Sequence, residues 1–449
     1  MRKLWESAEL AAALGVADPG FHATGISFDT RSLAPGDLFV ALAGARDGHD
    51  FVAEAFAKGA AGALVARPMP GRVIVVDNTL RALERLGAAA RARSAAQIVA
   101  VTGSVGKTTT KEMLRRCLGG FGRVHAAEAS FNNHIGVPLT LALLPREADF
   151  GVFEIGMNHP GEIAPLAALV RPHAAIITCV DRAHLGLMGS EAAIAAEKAA
   201  IFGGLVQGGA AILPAASKFL PLLRSKVPEG AHQIGFGAEA AEARLLKLKA
   251  GADASDISAS IFGRPVKFRL DAAGQHMAEN ALAVLAAAVA LGLDAAQAAE
   301  ALDGFAAFAG RGARRDMRVG GKRILLLDES YNASQASMRA AFAVLALQPG
   351  RHVAVLGDML ELGEAAADEH RGLAEAAAEA ADRIFCAGSA MRHLFDSLPE
   401  PKQGAWAPDA VSLAPAVRAA LAEGDAVLVK GSFGSRMRDV ISALEGGAE

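Results

Sequence analysis

The chain has 449 residues, with 45 Lys and Arg against 48 Asp and Glu and a formal net charge of −3. At roughly 100–200 residues per domain this length suggests two to four domains, and the near-neutral balance leaves no basic footprint for nucleic acid. Cys117, Cys179 and Cys386 lie far apart with no CxxC spacing, which argues for a reducing compartment over a disulfide framework. MRKLWESAEL at the start has no apolar signal-peptide core behind its positive charges. The longest apolar tract, ALAVLAAAVALGL (281–293), falls short of the roughly 18 residues of a membrane span and reads as a buried helix. The expectation is a cytoplasmic, monomeric α/β protein of several domains, with no membrane span and no nucleic-acid partner.

Residues 1–85 carry short mixed elements. GDLFVALAG (36–44) alternates as a strand does, DFVAEAFAKGA (50–60) has helical spacing with a Gly stop, and GALVAR and RVIVVD read as strands. TLRALERLGAAARAR (79–93) is a connecting helix. Residues 86–309 form a second unit. QIVAVTG (97–103) is a buried strand and KTTTKEMLRRCLGG (107–120) a helix ending in Gly-Gly. DFGVFEIGM (149–157), AAIITCV (174–180) and GAAILP (209–214) are further strands with helical patterns between them, the signature of a mostly parallel sheet. Residues 230–270 read as antiparallel strands and polar turns, followed by a helix over 275–292. GFAAFAGRGARRDMRVGGK, near 305–322, marks the boundary to the last unit (310–449), and the Gly- and Arg-rich stretch 304–321 is the expected hinge. Beyond it RILLLDES, HVAVLGDM, RIFCAG and DAVLVKGS alternate with helical patterns, including one over 364–381, and predict a second, Rossmann-like sheet.

VTGSVGKTTTKEM (101–113) raises the first chemical question. The common phosphate-binding signature has Gly, four residues, then Gly-Lys-Ser/Thr. Here Gly106-Lys107-Thr108 is preceded by Gly103, and Val101 stands where the more distant glycine would be. A strand ending in Gly-x-x-Gly-Lys-Thr and opening a helix still makes an anion site. Glycines let backbone N–H groups turn to a phosphate, the helix N-terminus carries about half a positive charge, and Lys107 adds a full one. The Thr108 hydroxyl suits Mg²⁺.

Three weaker signals follow. Glu154, in FEIGMNHPGEI (153–163), ends a strand and is as readily a solvated strand end as a metal ligand. His184, in DRAHLGLMGS (181–190), taken alone is a loop histidine, and Lys198, in AEKAAIF, taken alone is a surface lysine. In a doubly wound sheet, however, the C-terminal strand ends converge on one crevice, so the three belong together.

In that order, TGSVGKTTTKEM, FEIGMNHPGEI, DRAHLGLMGS and EKAAIF resemble the central domain of the Mur ligases, the ATP-dependent enzymes that build the peptidoglycan precursor. The resemblance extends over nearly the whole chain. FDTRSLAPGDLFVALAGARDGHDFVAEAFAKGAAGALV (28–65) is similar to the family's UDP-sugar-binding domain, while ENALAV (279–284), GRGARR (310–315), LDESYNASQASM (327–338), AVLGDMLELG (354–363) and VLVKGS (427–432) are similar to its ATP-binding end and C-terminal domain. The short Gly-x-x-Gly-Lys-Thr loop is the family's own form. SYNA, LGDMLELG and VLVKGS point, within the family, to the activity that joins D-alanyl-D-alanine to UDP-N-acetylmuramoyl-tripeptide.

The resemblance implies a three-domain fold: a small α/β UDP-sugar-binding domain (1–85), a central P-loop domain with a mostly parallel sheet (86–309) and a C-terminal Rossmann-like domain (310–449). It implies ATP and Mg²⁺ as cofactors. The ATP loop would comprise Thr102, Gly103, Ser104, Val105, Gly106, Lys107, Thr108 and Thr109. Thr108 would hold one Mg²⁺, Glu154 and His184 a second, and Lys198 would react with CO₂ to give an anionic carbamate. Asn133 and Asn280 would contact adenine, Asp328 the ribose, and Arg311 the phosphates, so that Lys107, Lys198, His184 and Arg311 carry the chemistry. Ser330 and Asn332 would meet the incoming dipeptide. Ser27, Thr30, Arg31, Asp47, Gly48 and His49 would line the uridine-diphosphate pocket.

The chain departs from the family at Ser334-Gln335, where Asn-Pro is usual, at His276-Met277, where His-Asn is usual, and at Ser130-Phe131, where Gly-Asn is common. These positions concern adenine and dipeptide contacts, not phosphate or metal. A sister ligase adding the third amino acid would carry Asp-Asn-Pro-Arg in its last domain, and this chain has none. A non-catalytic ATP-binding regulator would be free to lose Lys107, Glu154, His184 or Lys198, and all four are present.

Overall fold

The structure is a computed structural model that describes residues 3–128 and 130–446. Among these residues the chain forms three sheets in sequence order, of four, ten and six strands. The first is wholly parallel, in the order Gly25–Ser27, Asp37–Val40, Gly62–Val65, Val73–Val75. Among the described residues no helix is long and apolar enough to cross a membrane.

Helix Thr79–Arg93 leads out of the first sheet. The Asn78 side chain caps it by accepting from the Arg81 N–H, and its Ala82, Leu83, Leu86 and Ala90 face is buried. The first and second units share one apolar core that runs from Trp5 and Leu10 to Phe153 and Ile177. Trp5 fastens them together: its indole N–H donates to the Ala142 carbonyl at 2.9 Å, and the Arg93 guanidinium lies 3.8 Å from the ring centre.

The central sheet places the site. Strand Gln97–Thr102 lies between Phe150–Glu154 and Ala174–Ile177, with Val124–Ala126 beyond the former and Ala210–Pro214 beyond the latter, all parallel. Chain connections leave Gln97–Thr102 first to one side and then to the other, so its C-terminal end is a topological switch point where loops part and leave a crevice. Strand His232–Gly237 extends the parallel part, pairing with Ala210–Pro214 after a helical crossover. The antiparallel reading of 230–270 therefore holds only for the ribbon Ala243–Ala250, Ser255–Ile261 and Arg264–Asp271. Helix Gln275–Ala290 is buried along almost all of its length between this sheet and helix Lys107–Gly119. Its run of alanines has a packing reason, since small side chains let a helix sit close to neighbours on several sides.

The third sheet is parallel apart from its first strand, in the order Ala313–Val319, Lys322–Glu329, Ala426–Lys430, His352–Gly357, Arg383–Ala387, Gln403–Ala407. Two expectations change here. The second half of the expected hinge over 304–321 contains strand Ala313–Val319, antiparallel to Lys322–Glu329 and joined to it by Gly320 (φ 57°) and Gly321 (φ 82°), so the connecting segment shrinks to 307–312. The helix expected over 364–381 is two helices, Ala366–Arg371 and Ala374–Ala380, interrupted at Gly372.

Trp5→Ala removes a fully buried indole and its hydrogen bond, and is expected to cost about 3–5 kcal/mol of stability. Urea unfolding of the two proteins, followed by circular dichroism, measures this. A difference within about 0.5 kcal/mol, the usual effect of a surface substitution, would mean that the first unit is held by other contacts.

Candidate active site

The phosphate loop follows from two close approaches. Gly106 has φ 85° and opens helix Lys107–Gly119, and a Cβ there would lie 2.8 Å from the Asn280 side-chain oxygen. Gly103 runs so close to the Thr178 side chain that no Cβ fits. The loop is tied to the next strand's loop, since Ser104 Oγ donates to the Asp181 carbonyl and accepts from the Asp181 N–H, both at 2.9 Å. Lys107 folds back, its Nζ donating to the Gly103 carbonyl at 2.7 Å. Burial lowers the Lys107 pKa; Glu154 opposes that shift and Arg311 adds to it.

Thr108 Oγ1 donates to Glu154 Oε2 at 2.8 Å, and Asn132 Nδ2 donates to Glu154 Oε1 at 2.7 Å. Ser130 Oγ is 3.3 Å from Thr108 Oγ1. Glu154 is buried, not a solvated strand end. His184 sits in the left-handed region (φ 64°) at the start of the short helix Leu185–Met188. Its Nδ1 is buried against the Glu361 carboxylate in an ion-pair contact but makes no hydrogen bond. Burial lowers the His184 pKa, Glu361 opposes this, and Lys107 and Lys198 add to it.

Lys198 is not the surface lysine its helical pattern suggests. It is 1 % exposed on helix Glu191–Ala199 and forms no salt bridge among the described residues. Burial, and then Lys107, push its pKa down to about 7. Its neighbour Glu197 fixes the helix by accepting from the Gly161 and Ile163 N–H groups, both at 2.8 Å.

On the facing side, the Arg311 guanidinium lies 4.3 Å from the centre of the Tyr331 ring, which packs on Phe433. Asp328 holds this connection: its carboxylate accepts from the N–H groups of Gly310 and Ser330 at 3.0 and 3.1 Å and from Ser330 Oγ at 2.6 Å. Lys430, buried, donates to Glu329 Oε2 at 3.2 Å and to the Asn332 carbonyl at 2.9 Å.

One cavity of about 590 Å³ between the second and third units brings together Ser104 through Thr109, Asn133, Glu154, His184, Asn280, Arg311 and Asn332. The Asn133 side-chain oxygen also accepts from the N–H groups of Ile135 and Gly136, where helix Gly136–Ala142 begins. Thr102, Gly103, Lys198, Asp328 and Ser330 lie behind the cavity wall, not on it. Asn132 and Lys430 are not singled out by the sequence, and Ser130, expected to concern only adenine or dipeptide contacts, instead lies beside Thr108 Oγ1. Asn132 adjoins Asn133, and Lys430 lies inside VLVKGS, but only the fold shows that they face Glu154 and Glu329.

The first unit carries its set apart from this cavity. Arg31 pairs with Asp29, the Ser27 hydroxyl donates to the Asp29 carbonyl, and the Thr30 carbonyl accepts from Lys58. His49 Nε2 accepts from the Ala66 N–H, which leaves Nδ1 as the protonated nitrogen that donates to Asp47 at 2.6 Å. Gly48 approaches the Leu42 backbone too closely for a side chain.

A lysine-bearing phosphate loop, a buried hydroxyl–carboxylate pair and an arginine from the next unit, all facing one cavity, form a nucleotide site of the P-loop ligase type. The Mur ligase middle-domain family matches residues 101–288, and the Mur ligase glutamate ligase domain family matches residues 313–433. The chain belongs to the Mur ligase family. Over nearly its full length it is similar to the UDP-N-acetylmuramoyl-tripeptide–D-alanyl-D-alanine ligase of Escherichia coli (strain K12), at 36% identity over 94% of this chain and 93% of that one. The crystal structure of MurF from Acinetobacter baumannii superposes with a TM-score of 0.88 at 30% identity, covering 98% of this chain and 99% of that one. MurF ligase from Thermotoga maritima, solved in complex with ADP, superposes with a TM-score of 0.82 at 26% identity, covering 94% and 97%.

Lys107→Ala is expected to lower ATP-dependent turnover by roughly 10²–10³-fold, the cost of losing one transition-state charge donor. The thermal midpoint should stay near that of the unaltered protein, because the amine makes only one backbone contact. Steady-state phosphate release beside a melting curve measures both, and turnover within a few-fold of the parent would remove Lys107 from the chemistry.

Proposed function

We infer that this protein is an ATP-dependent ligase that joins D-alanyl-D-alanine to UDP-N-acetylmuramoyl-tripeptide in the cytoplasm, giving the UDP-pentapeptide, ADP and phosphate. The observation that carries this reading is the cavity that Lys107, Thr108, Glu154 and His184 line from the central sheet and Arg311 lines from the segment leading to the third sheet. Residues 1–85 bind the UDP-muramoyl end through Ser27, Thr30, Arg31, Asp47, Gly48 and His49. Residues 86–309 hold ATP, and residues 310–449 bring the dipeptide to Asn332, with Ser330 behind the wall bracing that turn through Asp328.

A carboxylate is a poor electrophile, so an amide bond to it needs activation. The substrate carboxylate attacks the γ-phosphorus, the bond to the ADP oxygen breaks, and an acyl phosphate forms. Such transfer depends on position and on neutralising charge spread over the phosphoryl oxygens. Lys107 leaves the Gly103 carbonyl for the phosphates, and Arg311, braced on Tyr331, meets them from the other side. The dipeptide amine then attacks the acyl carbon, the bond to phosphate breaks, and the amine proton leaves. Asn133 and Asn280 face adenine. Asp328, fully engaged in holding the Gly310–Ser330 turn behind the cavity wall, positions Arg311 rather than meeting the ribose itself.

The donors fit Mg²⁺. Thr108 and Glu154 offer buried oxygen donors 2.8 Å apart on the cavity wall, and His184, its Nδ1 turned to the Glu361 carboxylate, lines the same cavity. Mg²⁺ commonly binds through one or two carboxylates and the substrate phosphates, so few protein ligands are needed. When bound, it supplies charge neutralisation on the phosphoryl oxygens. Lys198, buried without an acidic partner, becomes a carbamate by attack of its neutral amine on CO₂ with loss of a proton, and so turns a buried cation into an anion.

Phosphate release is measured with ATP, Mg²⁺, UDP-N-acetylmuramoyl-tripeptide and D-alanyl-D-alanine, omitting one component at a time and trying both diaminopimelate and lysine in the third position. The expected outcome is release that needs both substrates, with UDP-pentapeptide found by mass. Release that ignores the dipeptide but answers to another amino acid would move the chain to a sister activity, and indifference to every UDP-muramoyl substrate would overturn the reading.

The carbamate has its own readout. Protein equilibrated with ¹³C-bicarbonate should show a carbamate carbon resonance that Lys198→Arg abolishes, and an identical spectrum from both proteins would exclude the modification.

A further inference from the structure

The loop after strand Ala174–Ile177 does two jobs at once. On its inner side Asp181 is fastened to the phosphate loop through Ser104. On its outer side the same few residues grip the third unit. The Asp181 carboxylate accepts from the Ala336 N–H at 3.2 Å, in the first turn of helix Gln335–Leu345. The Gly186 N–H donates to the Glu361 carbonyl at 3.1 Å, where Gly186 and Gly363 pass too closely for a side chain on either. Arg182 donates to Glu369 at 2.5 Å and is held from behind by Glu191.

Glu369 is the unusual member. Its side chain is 5 % exposed, it lies on helix Ala366–Arg371, and its second oxygen has no hydrogen bond. Among the described residues Arg182 is the one cation that pairs with it. The third unit thus buries a carboxylate whose counter-charge comes from the second unit. Leaving one partner of a buried pair without the other is strongly unfavourable. Any docking of the third unit that misses Arg182 therefore leaves Glu369 without its one cationic partner among the described residues.

We propose that Arg182 is a positioning residue for ligation: its pair with Glu369 selects the docked register of the third unit and couples that docking to the phosphate loop. The proposal rests on the ligase reading above. Arg182 touches neither nucleotide nor dipeptide in this scheme. Its role is to keep the acyl phosphate covered until the amine arrives. Without it, water attacks the acyl carbon, the bond to phosphate breaks, and carboxylate and phosphate return to solution, so ATP is spent with no amide formed.

Arg182→Ala, Glu369→Ala and the double variant are compared with the parent by measuring phosphate release and UDP-pentapeptide in the same reactions. The parent should make close to one pentapeptide per phosphate. Each single variant should lower that ratio, and raise the KM for the dipeptide, by roughly fivefold or more, since Glu369 is buried while Arg182 is half-exposed and water screens part of the pair. The double variant should be no worse than the worse single one, the mark of a direct pair. Small-angle scattering with a non-hydrolysable ATP analogue adds a readout free of catalysis: the parent should be more compact than Arg182→Ala. Arg182 is 46 % exposed, so its removal leaves a folded protein. A ratio of product to phosphate that stays at the parent value in Arg182→Ala, or penalties that simply add in the double variant, would overturn the proposal. A parent that makes no pentapeptide would instead overturn the ligase reading.

Discussion

An excess of positive charge held away from water governs this site. Lys107 and Arg311 face one crevice and Lys198 lies behind its wall; burial pushes the pKa of Lys107 and Lys198 down, Arg311 adding to the shift of Lys107 and Lys107 to that of Lys198. Glu154 answers Lys107, but its two oxygens are already taken by Thr108 and Asn132. Without an anion the arrangement is costly, and the fold bears that cost because the surrounding sheets fix each group. A polyphosphate entering such a crevice meets donors that need no reorganisation, in surroundings where charge interactions are far stronger than in water.

Topology explains why the groups converge. The phosphate loop, Glu154 and the loop bearing His184 leave adjacent strand ends at the switch point of the central sheet. The third sheet turns its own strand ends toward them, so that Glu329 and Lys430, register partners on neighbouring strands, form the opposite wall. Between the two sheets runs only the short segment 307–312, pinned by Asp328. A short tether between two rigid sheets confines their relative motion to opening and closing of one cleft, which suits an intermediate that must be kept from water.

How much of this could be read from the residues depends on how local each signal is. The phosphate loop and helix Thr79–Arg93 are written in a dozen consecutive residues, through glycine spacing, a lysine and an Asn cap, and their bounds could be drawn from sequence alone. Only the second half of 304–321 departs from the expected hinge, because glycine and arginine suggest a loop there. In fact Gly320-Gly321 makes a two-residue hairpin turn with positive φ at both positions, and the arginines project from an edge strand, where charge protects against further pairing. Lys198 was identified only by resemblance, since burial of a lysine depends on what packs over it. His232–Gly237 could not be placed as parallel without knowing its neighbour. Arg182 and Glu369 are 187 positions apart, and nothing near either one marks the other.

The same loop geometry has a thermodynamic consequence. Ser104 ties the phosphate loop to Asp181, and Asp181 and Arg182 tie that loop to the third unit, so the state of the nucleotide site and the docking of the third unit share residues. Two equilibria that share residues are coupled, and coupling is reciprocal. If a nucleotide that stiffens the phosphate loop favours docking, then a dipeptide bound only in the docked state must tighten the hold on nucleotide by the same factor. Order of addition then needs no separate gate. The enzyme is least closed when it has least to protect, and the buried charge of Glu369 makes partial or misaligned closure the least favourable state of all.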